Sequence, residues 1–150
     1  HLLLIVRSSY PGVHSSQIAF PGGKKELEDF DLQETALREA NEEVGISPSD
    51  IEIVKQWSDL YIPPSNFMVS AFMGIAQQPQ NFVLQPDEVS GIIELPVEDL
   101  LNDSLVQNVR MTTSYATDIE MPAFVINDHI VWGATAMILS EIKETFRSVF

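Results

Sequence analysis

The 150-residue chain contains no cysteine, which removes disulfides, thiolate metal ligands and cysteine nucleophiles together. Any metal site must therefore be built from oxygen donors and the three histidines. Basic residues are scarce, with 8 Lys and Arg against 22 Asp and Glu and a formal net charge of −14. Such a surface repels nucleic acid and anionic membranes, and it invites divalent cations instead. Long apolar runs are missing too. The longest, Leu2 to Val6, falls far short of the roughly 20 apolar residues that a membrane-spanning helix needs. No repeat, low-complexity tract or linker interrupts the chain, and its length and composition fit one domain over residues 1–150. Residue 1 is His rather than Met and runs straight into a strand-like segment. The natural N-terminus, with any targeting signal, is therefore expected to lie outside this sequence.

Hydrophobic patterning places a buried strand at 2–7, a loop at 8–16, a short strand at 17–20 and a break at Pro21-Gly22-Gly23. A charged stretch then leads into the clearest helix, Leu32 to Val44. Asp31 and Glu34 have the spacing of an N-terminal cap, and Gly45 suits the left-handed residue that stops a helix. Strands are expected at 51–57, 67–76 and 89–95, with a helical turn at 96–101. Extended pieces follow at 114–120 and 123–126, and Asn127-Asp128 supplies a turn. A terminal amphipathic helix covers 134–150, carrying Met137, Ile138, Ile142 and Phe146 at helical spacing. Trp57 and Trp132 read as core. This order of elements predicts an α/β fold, a mixed β-sheet flanked by helices.

On the helix at 32–44, Ala36, Leu37, Ala40 and Val44 share one arc, while Glu39, Glu42 and Glu43 share the next. Three glutamates at i, i+3 and i+4 put hard oxygen donors in one patch, the ligand type that Mg²⁺ and Mn²⁺ prefer. Without a cation, each like-charged i,i+4 pair costs a few tenths of a kcal/mol, about what Arg38 one turn before Glu42 gives back. A solvated acidic face is the plain alternative for such a cluster.

The wider pattern is Gly22-Gly23, then Arg38-Glu39-Ala40-Asn41-Glu42-Glu43-Val44-Gly45-Ile46. It resembles the signature box of the Nudix hydrolases, which split diphosphates linked to another moiety and hold Mg²⁺ or Mn²⁺ on a loop–helix–loop. Asp29 stands where the general box has Glu, and Arg38 falls one residue late. The coenzyme A pyrophosphatase branch is similar to this sequence in both departures. It is also resembled upstream, in Leu2 to Ser9 and then in His14-Ser15-Ser16-Gln17-Ile18-Ala19-Phe20-Pro21-Gly22-Gly23. Ser16 stands where that branch usually has Gly, and its Cβ narrows the backbone choices of the loop. Pro63-Pro64-Ser65, Asp87-Glu88-Val89 and Val131-Trp132-Gly133-Ala134-Thr135-Ala136 extend the resemblance over nearly the whole chain.

The resemblance implies a Nudix-type α/β/α sandwich and a cytoplasmic, metal-dependent pyrophosphohydrolase of a small nucleotide diphosphate. Coenzyme A is the first substrate it implies, with 3′,5′-ADP and 4′-phosphopantetheine as products. Glu39 and Glu43 are the implied direct ligands of Mg²⁺ or Mn²⁺, with Glu42 acting directly or through water and the Gly23 carbonyl as a further donor. Arg38 is expected to orient these carboxylates, and Glu88, at a strand start, to supply another; Glu39, Glu42, Glu43, Arg38 and Glu88 make up the implied catalytic set. Arg7, His14, Gln17, Phe20 and Gly22 are the implied substrate contacts. Arg suits a phosphate because its planar donors bind oxygens in pairs. Two other readings stand beside this one: a Nudix hydrolase of ADP-ribose or nucleoside triphosphates, and a non-catalytic nucleotide sensor on the same fold. No P-loop occurs and no Ser–His–Asp order is distinguishable. Neither nucleic acid nor membrane is an expected partner, and the pattern sets no oligomeric state.

Overall fold

The computed structural model describes residues 1–9, 11 and 17–150. Strand β1 (Leu2–Arg7) lies in the middle of a three-stranded sheet, between β2 (Ile18–Ala19) and β7 (Val89–Leu95). Its unbroken apolar run is explained by burial on both faces. Leu4 packs with Ile93, Leu95, Phe124, Leu139 and Ile142 on one side, and Ile5 packs with Val44, Ile46 and Val89 on the other. The first side is covered by α2 (Val97–Leu101) and α3 (Gly133–Val149), and the second by α1 (Leu32–Val44). This is the α/β/α sandwich, with the sheet as its middle layer.

Helix α1 has the expected bounds. The Asp31 Oδ1 accepts the Glu34 N–H at 2.8 Å, and the Glu34 carboxylate reaches back to the Phe30 N–H at 2.6 Å. The first bond satisfies an amide donor that the helix itself leaves open, and the second ties down the residue before the cap. Gly45 closes the helix at φ 77°, where a Cβ is strained.

Several expectations change. The run at 67–76 is two strands, β5 (Phe67–Val69) and β6 (Phe72–Ala76), because its halves have different partners. The first pairs with β4 (Leu60–Ile62), reached through the Pro63–Ser65 turn and Asn66 at φ 54°, and the second pairs with β3 (Ile51–Gln56). Strand β8 (Val106–Met111) forms a ladder with β9 (Ile119–Ile126), although its exposed, polar sequence carries little strand signal. Residues 114–118 are the connecting loop rather than strand, held by Thr113 Oγ1 accepting the Ala116 N–H at 3.1 Å. Asn127 and Asp128, both at positive φ, make the turn into β10 (His129–Val131). A mixed sheet was the expectation, whereas the strand pairs recorded among the described residues are all antiparallel. Trp57 is in the core, but Trp132 is only half-buried, against Tyr115, and Met137 faces outward while Leu139 takes the inner position on α3. Among the described residues no helix is long and apolar enough to cross a membrane.

Candidate active site

Val44 is fully buried beneath β1, and it draws its neighbour Glu43 below the surface, where 1% of that residue remains exposed. The end of α1 also recruits the chain that precedes β7. Helix C-termini leave carbonyls without helical partners, and here Gln85 N–H donates to the Glu43 carbonyl at 3.0 Å and Val83 N–H to the Val44 carbonyl at 3.0 Å. The Gln85 carbonyl then accepts from Glu88 and Val89, and the Glu88 carbonyl accepts from Ser8 N–H at 2.9 Å. Glu88 is thereby fixed opposite the helix. Carboxylate oxygens of Glu39, Glu43 and Glu88 lie within 4.8 Å of one another.

Three anions so close, one of them buried, are unfavourable by themselves. Burial pushes the Glu43 carboxyl up to about 7, and the negative charges of Glu39 and Glu88 push the same way. The Gly22 N–H, 3.0 Å from Glu43 Oε2, and the positive charge of Arg7 oppose the rise. Glu39 is also raised, mainly by burial, with Arg38 opposing. Carboxylate oxygens at these separations suit the shell of one hard divalent ion, whose ligand distances run from roughly 2.0 to 2.6 Å. The donor set and its charge imbalance therefore fit a divalent cation.

Arg38 is the hub on the other side of the helix. Its Nε and Nη2 donate to the two oxygens of Asp29 at 2.9 and 3.0 Å, its Nη1 donates to Glu39 and Glu42 at 3.2 Å each, and its Nη2 also donates to the Lys24 carbonyl at 3.0 Å. Asp29 is buried, and it further accepts from Thr35 Oγ1 at 2.9 Å and from Glu26 N–H at 2.9 Å. Glu42, half-exposed, stays with Arg38 and is not one of the three converging carboxylates. Asp29 and Thr35 were absent from the candidate residues, although Asp at a box position that usually holds Glu was a signal for the former.

The loop residues divide. A Cβ at Gly23 would overlap the Glu39 carboxylate, so glycine is required there, whereas a Cβ at Gly22 meets nothing within 4 Å and this residue serves through its N–H. Arg7, at a register shift between β1 and β7, has a buried Nε without a hydrogen-bond partner among the described residues. Gln17 accepts the Arg7 N–H through its carbonyl at 3.0 Å. Phe20 packs against the larger core cluster. His14 lies outside the described residues.

Residues 1–114 match the family model of the NUDIX domain. The chain is 33% identical over 152 residues to an uncharacterized Nudix hydrolase NudL of Yersinia enterocolitica, covering 95% of this chain and 72% of the relative. A protein of the same name from Klebsiella pneumoniae is 33% identical over 155 residues, covering 94% of this chain and 72% of its own length. Among solved structures, a C. elegans Ap4A hydrolase in a binary complex superposes with a TM-score of 0.62 at 17% identity, over 99% of this chain and 87% of that one. A MutT/nudix family protein from Enterococcus faecalis gives 0.50 at 19% identity, over 98% and 54% of the two chains. These two likenesses speak to fold.

Proposed function

The chain belongs to the Nudix hydrolase family, and from that premise we propose that it cleaves the diphosphate of coenzyme A or a derivative, releasing 3′,5′-ADP and 4′-phosphopantetheine. The observation that carries the hydrolytic reading is the convergence of Glu39, Glu43 and Glu88 on one point. The substrate reading rests on the sequence resemblance upstream of the box and on Arg7, whose charge acts on Glu43 from that stretch. Residues 1–150 serve as one domain in this reading.

Glu39, Glu43 and Glu88 would hold Mg²⁺ or Mn²⁺, with Glu42 as a further carboxylate and the Gly23 carbonyl as a neighbouring donor. The chemistry that a divalent cation would supply there is neutralisation of the diphosphate charge and a lowered pKa of water. Arg38 keeps Glu39 and Glu42 in place through its own bonds to Asp29. Gly22 holds the inner oxygen of Glu43 by its N–H. Arg7 and Gln17, with His14 and Phe20 nearby in sequence, orient the substrate's phosphates and amide groups, Arg7 by charge-assisted hydrogen bonds.

The test is product analysis by mass-resolved chromatography after separate incubations with coenzyme A, ADP-ribose and dATP, with Mg²⁺ or Mn²⁺, beside Glu43→Gln. Metal-dependent release of 3′,5′-ADP from coenzyme A, lost in the variant, is expected. Cleavage of ADP-ribose or dATP alone would overturn the substrate while leaving the site intact. No cleavage of any of the three would favour a sensor.

A further inference from the structure

Lys24 stands directly after Gly23, and the function above gives it no task. Its carbonyl is tied to Arg38 at 3.0 Å, the same guanidinium that holds Glu39 and Glu42. Its backbone is thus fixed relative to the carboxylate cluster. Its ammonium lies 4.9 Å from the ring centre of Phe67, the first residue of β5, and this ring is 42% exposed. Arg38, Arg110, Lys143 and Arg147 each sit within 4.0 Å of a carboxylate. Lys24, in a chain with 22 acidic residues, makes no ion pair among the described residues, although the glycine before it abuts the Glu39 carboxylate. The ring therefore presents a free ammonium at the edge of the site, turned to the β4–β5 hairpin rather than to the metal-binding carboxylates. A cation–π contact at an exposed ring is weaker than a charge-assisted hydrogen bond to phosphate, so an incoming phosphate would take this ammonium. On so acidic a surface, a phosphate beyond the neutralising reach of a divalent cation needs its own counter-charge.

We propose that Lys24, held by Phe67, is a specificity-determining residue that grips a phosphate monoester of the substrate outside the scissile diphosphate. Resting on the coenzyme A reading, that group is the 3′-phosphate of the nucleotide half. The experiment compares kcat/KM for coenzyme A and for dephospho-coenzyme A, which lacks only this phosphate, in the natural chain, Lys24→Ala, Lys24→Arg and Phe67→Leu. The natural chain should prefer coenzyme A by about tenfold or more, the scale of one charge-assisted contact. Lys24→Ala should erase that preference, changing dephospho-coenzyme A turnover by less than about threefold, while Lys24→Arg keeps most of it and Phe67→Leu falls between. Equal use of both substrates by the natural chain, or an equal loss on both in Lys24→Ala, overturns the assignment while coenzyme A hydrolysis stands. If the natural chain cleaves neither, the substrate reading itself falls and this assignment falls with it.

Discussion

Asp29 and Glu43 are both buried carboxylates, at 6% and 1% exposure, yet their surroundings drive them in opposite directions. Asp29 meets both nitrogens of the Arg38 fork, the Thr35 hydroxyl and the Glu26 N–H. The Arg38 hydrogen bonds, helped by Glu26 N–H, hold its carboxyl well below the usual range, and Asp29 in turn raises the Arg38 guanidinium. Among the described residues, Glu43 has one N–H, from Gly22, and two neighbouring acids. Burial with so few donors pushes it up to about 7. Burial alone thus says little about role. A carboxylate supplied with all its donors braces the loop, and one left short of them is open to a cation.

The sharpest way to break this contrast is Glu43→Gln. Losing a ligand at the cluster should lower hydrolysis by on the order of a thousandfold, while the metal-free protein keeps its melting temperature or gains in it, since an uncompensated buried charge is removed. Steady-state rates and a metal-free thermal scan would show this, and a collapsed fold would place Glu43 with the braces. Next comes the glycine pair. Gly23→Ala forces a Cβ into the Glu39 carboxylate and should cost about a hundredfold in activity, whereas Gly22→Ala should stay within about threefold. Equal rates for the two variants would mean that Glu39 gives way freely.

Asp29→Asn removes the charge that anchors Arg38 but touches none of the converging oxygens. Mn²⁺ affinity by titration calorimetry should weaken on the order of tenfold, and Tm should fall by roughly 5 °C. A loss as severe as that of Glu43→Gln, at unchanged Tm, would move Asp29 into the site. The smallest effect is the pH response of metal-free protein. Because the folded Glu43 carboxyl sits near 7 against an ordinary 4.5, the folded state binds more protons than the unfolded one between those values. Its contribution therefore lowers stability as pH rises through that window, by on the order of 1–2 kcal/mol after screening. Denaturant titrations of the natural chain and Glu43→Gln at pH 5 and pH 7.5 should diverge with that sign; parallel curves would show that Glu43 has donors beyond Gly22.

The helix bounds, its caps and the strands at 2–7 and 89–95 were legible because each is set by local signals: an Asp–Glu cap, a terminal Gly, a continuous apolar run in the first strand and the apolar Val89, Ile92, Ile93 and Leu95 in the second. Strand β8 was not, since most of its residues are exposed and its existence depends on pairing with β9. The split of 67–76 was hidden because its halves take different partners, β5 the adjacent β4 across a tight turn and β6 the earlier β3. In the site, the Glu39, Glu42 and Glu43 spacing was readable on a helical wheel. That Glu88, rather than Glu42, completes the converging trio was not.

By itself the sequence determined a donor set without thiolates, the helix that carries Glu39 and Glu43, and the glycine that lets the loop approach them, because composition, helical period and backbone sterics act locally. Only the tertiary structure decided which of the acids are short of donors. That depends on Gln85 and Val83 capping the helix end and delivering Glu88, and on Arg38 turning toward Asp29. Desolvation and charge are sums over neighbours far apart in the chain, and no local pattern contains them.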